Sequence, residues 1–141
     1  MRRQRGFTLT ELVITMVVIT ILGAIAIPGY TGYLKKSARQ EARQLLLQAA
    51  VRQETQRIRS GSYATAMTAL GYDSDIVFTG SGRYRVAVGT GTPTRFTLTA
   101  TPTGKGGQDS DPCGTLTINH LGERGITTTA SPAPTVTSCW Q

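Results

Sequence analysis

Residues 1–28 read MRRQRGFTLTELVITMVVITILGAIAIP, and this stretch decides how the rest of the chain is read. Three arginines, Arg2, Arg3 and Arg5, and one glycine, Gly6, precede an apolar run from Phe7 to Pro28 that is broken by a single acid, Glu11. The 21 residues from Phe7 to Ile27 match the ~20 that a helix needs to cross a ~30 Å hydrocarbon core. All the positive charge of the first 34 residues lies before the run. The positive-inside rule therefore places the N-terminus in the cytoplasm and the chain beyond Pro28 across the membrane. An ionised carboxylate at mid-bilayer costs roughly 2.5 to 3.5 kcal/mol on insertion scales, so Glu11 needs a partner charge and is a functional-site candidate.

Two simpler readings compete. A conventional secretory signal would use Ala24-Ile25-Ala26 as a small-x-small cut, but Glu11 interrupts its apolar core and the cut would discard a helix that continues past Pro28. A plain single-span anchor accounts for the length of the run but not for Gly6 or Glu11.

The string Arg5-Gly6-Phe7-Thr8-Leu9-Thr10-Glu11-Leu12 resembles the processing site of the type IV pilin family. The resemblance implies that a prepilin peptidase cuts after Gly6 and that Phe7 becomes an N-methylated terminus. Thr10 stands where many relatives carry an aliphatic residue, a mild departure because Thr can bond its own helix backbone within a membrane. The physical logic runs the same way. A cut after Gly6 creates a positive amine on Phe7, one turn from the Glu11 carboxylate, and the two can pair within a chain or between neighbours. In a filament the pair would turn two costly membrane charges into a register-setting contact.

Beyond the membrane the helix is expected to continue. Pro28 and Gly29, after Gly23, are the residues placed to kink or locally melt it. Tyr30, Tyr33, Leu34, Ala38, Ala42, Leu45, Leu46, Ala49 and Ile58 recur mainly at three- and four-residue steps and predict one buried stripe. Ser60-Gly61-Ser62 ends the helix. From residue 60 onward the chain is rich in Gly, Thr, Ser and Pro. Strands are predicted over Arg83–Val88, Arg95–Thr101 and Thr115–Asn119, with turns over Gly89–Thr94 and Thr103–Pro112. Tyr63–Tyr72 reads as a connecting loop with a helical turn at Ala66–Leu70. Tyr84, Val86, Val88, Phe96, Leu98, Leu116 and Ile118 form the sheet face expected to pack on the helix stripe. Thr127–Thr137 reads as an ordered surface loop.

A head of about 80 residues is small enough to need a staple. Cys113 and Cys139 are the only cysteines, and export places them where a disulfide is the default. Closing that loop contributes about 3 to 4 kcal/mol in the chain-entropy model. Type IV pilins commonly carry such a C-terminal disulfide region. Tyr63, Ala69-Leu70-Gly71-Tyr72, Phe96 to Pro102, Asp111 to Thr117 and Cys139-Trp140 are most similar to the PilE-type minor pilins.

The formal charge is +7, and three of the fifteen basic residues precede Gly6, which leaves +4 from Phe7 onward. Lys35, Lys36, Arg39, Arg43, Arg52, Arg57 and Arg59 sit on the helix stem against Glu41 and Glu54 alone, whereas five basic and five acidic residues balance in the head. A basic stem can attract DNA or anionic lipid. The simpler reading is a solvated face that meets neighbouring subunits, and no aromatic platform for single strands is present. His120 is the only histidine, and no nucleophile constellation or phosphate loop is visible. Asp109-Ser110-Asp111 beside Gly106-Gly107 offers calcium oxygens but lacks further acids, and Asp73 and Asp75 read as turn acids. No cofactor, metal or enzymatic activity is expected.

The expected fold is α+β: one long N-terminal helix, membrane-spanning and then amphipathic, packed on a small antiparallel sheet with a C-terminal disulfide loop, as in type IV pilins. The expected organisation is a leader over 1–6, a membrane and assembly helix over 7–28, its amphipathic continuation over 29–59 and a head over 60–141. The resemblance implies a minor pilin of a type IV pilus, with a major pilin or a type II secretion pseudopilin as alternatives. Its implied partners are other pilins, prepilin peptidase, the inner-membrane assembly platform and its ATPase, with DNA weakly supported. Such a subunit resides in the inner membrane, head in the periplasm, before joining the extracellular filament. The intact mass of membrane-extracted protein is expected to match a chain beginning at N-methylated Phe7, and Gly6→Val to leave an uncut precursor. A mature terminus at Ile27 would instead mean a conventional signal peptide.

Overall fold

The computed structural model describes residues 6–141, the side chains of residues 26–28 excepted. The expected basic leader residues Arg2, Arg3 and Arg5 lie outside the described residues. The chain divides into two compact units, one ending at Leu34 and the other comprising Lys35–Gln141. A single helix, α1, is assigned over Leu9–Ser60. Helix is assigned continuously through positions 28 and 29, where a kink or local melting is expected.

In the first unit the helix keeps its large apolar side chains uncovered, from Leu9 and Leu12 through Ile25. It is long and apolar enough to cross a membrane. Its hydroxyls do not contradict that solvent. Thr15 Oγ1 donates to the Glu11 carbonyl at 2.7 Å and Thr20 Oγ1 to the Met16 carbonyl at 2.8 Å, so neither needs water.

In the second unit the helix buries Ala38, Ala42, Leu46 and Ala49, one row at three- and four-residue steps. Small residues at three of these positions let the sheet approach closely. The row ends on a polar residue, Gln53, which is fully buried. Its amide accepts from Ala64 N at 2.8 Å and donates to Ala64 O at 2.9 Å, clamping the segment that follows the helix. Ile58 does not join the stripe. It is 86% exposed, because the row has rotated away from the sheet before the helix stops at Gly61, whose φ is 77°.

Five antiparallel strands form a meander in the order β1 to β5: β1 Val77–Phe78, β2 Tyr84–Thr92, β3 Arg95–Pro102, β4 Thr115–Asn119 and β5 Arg124–Thr127. Tyr84, Val86, Phe96, Leu98, Leu116 and Ile118 face the core as the alternation requires, and Val88 packs at its margin. Strand β2 runs four residues beyond its expected end. A register shift between Val88 and Thr90 absorbs Gly89 as a bulge, and pairing resumes with Thr90 against Thr97. Gly91 is needed in the strand, since a Cβ there would lie 2.8 Å from Thr65 Cα. The expected helical turn before Tyr72 is the 3-10 helix Thr68–Leu70.

Edge strands β1 and β5 were not expected, nor was the 3-10 segment Lys105–Ser110 within the presumed turn. The disulfide joins Cys113 to Cys139, and Cys139 ends α2, the short helix Val136–Cys139. Trp140 Nε1 then donates to Gly125 O at 3.1 Å, pinning the end of the chain to β5. Removing the disulfide with Cys113→Ser should cost ~3 to 4 kcal/mol, a large share of the ~5 to 10 kcal/mol typical of a domain this size. The full chain in detergent should then melt at lower temperature and become protease-sensitive in the head. A variant that melts with the parent would contradict this.

Candidate functional site

At the start of α1, Gly6 and Phe7 precede the helix and both are exposed, Phe7 at 88%. A Cβ added at Gly6 would meet nothing within 4 Å among the described residues. The fold itself therefore makes no demand for glycine at this position. In the full chain Glu11 is held by Thr8. Its carboxylate accepts from Thr8 N and from Thr8 Oγ1, both at 2.9 Å, while Glu11 N donates to Thr8 Oγ1 at 3.3 Å. Thr8 and Glu11 thus form a capping box, satisfying backbone donors that a helix start leaves open. The pattern Thr-x-x-Glu before an apolar run announces this in the sequence, yet the acid had been read only as a charge awaiting an amine.

In the head, one carboxylate gathers the elements around the disulfide. Asp111 Oδ1 accepts from Arg39 Nη1 at 3.3 Å and from Cys113 N at 3.0 Å; Oδ2 accepts from Gln108 Nε2 at 2.8 Å and from Tyr84 OH at 3.4 Å. Asp111 is buried, and Arg39 is its ion-pair partner. Burial, and then the Asp111 charge, push the Tyr84 phenol up to about 12, so it stays a neutral donor at physiological pH. Arg39 Nη1 also lies against Cys113 Sγ, coupling the helix to the disulfide itself.

This commitment occupies Asp111, one of the acids of the Asp109-Ser110-Asp111 stretch. Asp109 stays exposed and accepts from Ser110 N, while Ser110 Oγ accepts from Lys35 Nζ at 2.7 Å. Asp75 accepts from the side chain and then the backbone of Thr68, which holds its carboxyl below the ordinary range. His120 follows β4, with its ring 6.5 Å from those of both Tyr63 and Phe96.

The stem charges are not one solvated face. Arg39 meets Asp111; Arg52 donates to the Leu70 and Gly71 carbonyls and stacks on Tyr72; Arg57 donates to Tyr63 OH. Glu41 accepts from Ser81 N, and Glu54 from Tyr63 OH. These side chains fasten the helix to its own head, which spacing along the helix could not reveal.

A different set of cations lacks an anion of its own. Arg83 Nη1 donates to the Gly106 carbonyl at 3.3 Å, and Lys105 Nζ comes within 3.0 Å of a Cβ built on Gly82. Arg85 is exposed on the neighbouring strand. None of the three has a carboxylate within 4 Å among the described residues.

Comparison with known proteins places these features. The profile of the family described as "Type IV minor pilin ComP, DNA uptake sequence receptor" matches residues 28–117, and that of the "Prokaryotic N-terminal methylation motif" matches residues 1–27. The chain is 55% identical over 38 residues to prepilin peptidase-dependent protein D of Escherichia coli (strain K12), covering 27% of this chain and 26% of that one. It is 28% identical over 92 residues to a fimbrial protein of Pseudomonas aeruginosa, covering 61% and 60%. The chain thus spans from about a quarter to 60% of the length of these curated relatives. Among solved structures, the non-core minor pilin PilV of Neisseria meningitidis shares the fold, with a TM-score of 0.54, 22% identity and coverage of 72% of this chain and 95% of that one. The minor-pilin profile extends from the helix into β4, well over half of the chain, and the helix-plus-meander fold agrees with it: the chain belongs to the ComP family of type IV minor pilins.

Proposed function

We propose that this chain is a structural, non-catalytic minor subunit of a type IV pilus, processed after Gly6, N-methylated on Phe7 and drawn from the inner membrane into the filament. The observation that carries this reading is the exposed Gly6-Phe7 junction directly before a capped, uncovered apolar helix that leads into a separately packed disulfide head. Residues 1–6 serve as leader, 7–28 as membrane and assembly helix, 29–59 as its continuation and 60–141 as head. Pro28 and Gly29 supply the point at which the helix adjusts on assembly. The partners are other pilins, prepilin peptidase and an inner-membrane platform with its ATPase; the head faces the periplasm before export.

In this reading Glu11 has two roles in sequence. In the membrane its carboxylate rests on Thr8; in the filament it exchanges that contact for the amine of a neighbour's Phe7, a charge-assisted bond roughly twice as strong as a neutral one. Variants separate the roles. Glu11→Gln keeps the capping box but loses the charge, whereas Glu11→Val loses both, with a capping penalty of ~1 kcal/mol. Both should insert and form the disulfide normally, and both should be depleted in sheared filaments relative to the inner membrane. Filament entry of Glu11→Gln at the parent level would confine Glu11 to capping.

We further propose that the head takes part in DNA uptake, with Arg83, Arg85 and Lys105 meeting phosphates. Support comes from the lack of a carboxylate within 4 Å of these cations among the described residues and from the family the chain belongs to. Binding of duplex DNA by the full chain in detergent should weaken linearly in log salt. Arg83→Gln and Lys105→Gln should each lower that slope by about 0.9. An unchanged slope in both would remove these loops from the DNA contact.

A further inference from the structure

Between α1 and β5 lies a cavity of about 340 Å³ lined by Gln40, Arg43, Gln44, Leu47, Arg124, Trp140 and Gln141. Arg43 is 8% exposed, and its buried Nε has no hydrogen-bond partner. Arg124 reaches into the same space with its guanidinium 5.2 Å from the Trp140 ring. Neither arginine has a carboxylate within 4 Å among the described residues. The Gln40 amide donates to the Gln141 carbonyl at 3.5 Å at the rim of the same space. From this geometry we infer that the Arg43–Arg124 cavity receives an aspartate or glutamate side chain of a neighbouring pilin subunit. The inference rests on the filament reading above and names the contact that the head would make there.

Leaving a buried guanidinium donor unmade costs free energy that a carboxylate would recover, and a planar fork recognises that group in two directions at once. Burial, then the charges of Arg39 and Arg124, hold the Arg43 guanidinium below its ordinary range. Of these neighbours only Arg39 has its own anion, Asp111. An incoming negative charge between Arg43 and Arg124 would relieve their repulsion.

The surroundings select a protein group over a nucleic-acid phosphate. The wall of Leu47 and Trp140 continues along the helix onto Val51 and Ile58, 67% and 86% exposed. An arginine anchor set in exposed apolar surface is how protein partners meet, whereas DNA contacts are polar and open. The loops of Arg83 and Lys105 have the latter character.

The test follows the Nε–Hε resonances of Arg43 and Arg124 in the full chain, 15N-labelled on arginine in detergent micelles. Glutarate, standing in for an acidic side chain, should shift both saturably. Arg43→Gln and Arg124→Gln should each weaken the response by at least roughly tenfold, the loss expected for one charge-assisted bond. Arg43→Lys, which keeps the charge but lacks the fork, should fall between. Tighter binding of inorganic phosphate than of glutarate, or no saturable shift with either, would overturn the proposal. In cells, a photo-crosslinker at Leu47 should capture an acid-bearing peptide of a pilin in sheared filaments and lose it in Arg124→Glu. Crosslinks to DNA alone, or to no pilin, would overturn the assigned partner. Absence of the parent chain from filaments would overturn the filament reading instead, and the glutarate titration would still decide whether the cavity takes a carboxylate.

Discussion

The buried Asp111 carboxylate is the interaction on which the head depends. It joins Arg39 of the helix, Tyr84 at the start of β2, Gln108 of the 3-10 segment and the backbone of Cys113. A lone carboxylate in such a place would cost several kcal/mol, and its charge partner is what makes burial tolerable. Removing either member would strand the other, so the pair holds only when helix, sheet and disulfide loop are all in place. The contact serves specificity of arrangement more than net stability. It sets which turn of the helix faces the disulfide.

A second constraint runs along α1, whose two parts answer to different solvents. From Leu9 to Ile25 the helix leaves its large apolar side chains uncovered, and Thr15 and Thr20 turn their hydroxyls to the helix's own carbonyls, a pattern that hydrocarbon accommodates. From Lys35 onward a row of alanines and Leu46 is buried, and the charged groups reach around the helix to dock on the head. Packing against other helices, as in a filament, would cover the apolar side chains of the first part.

Function in the head divides by charge environment. Arg39, Arg52 and Arg57 fasten the helix to the head. Arg83, Arg85 and Lys105 have no carboxylate within 4 Å among the described residues, and Arg43 with Arg124 lines a cavity. The two groups differ in their surroundings: the second is flanked by Leu47 and Trp140, whose apolar surface runs on to Val51 and Ile58, and the first is not. That difference, more than the sign of the charge, separates a surface suited to phosphates from one suited to a protein partner.

The amino-acid sequence by itself determined the long helix, its apolar and amphipathic parts, three of the five strands and the disulfide, because each is written in local pattern or in a count. Hydrophobic periods of about 3.6 and 2 are intrinsic to helix and strand, and two cysteines in an exported chain leave one pairing. The Thr8–Glu11 box was equally legible, as a four-residue signature. Strands β1 and β5 were not, since two residues, or four with a glycine among them, carry no period and exist only because β2 and β4 offer them edges. The fate of Asp111, the inward turn of Arg39, Arg52 and Arg57, and the meeting of Arg43 with Arg124 across 81 positions of chain were decided by tertiary structure alone. A charged side chain reads the same in sequence whether it ends in water, on a carbonyl or in a cavity; only the packing of helix on sheet determines which.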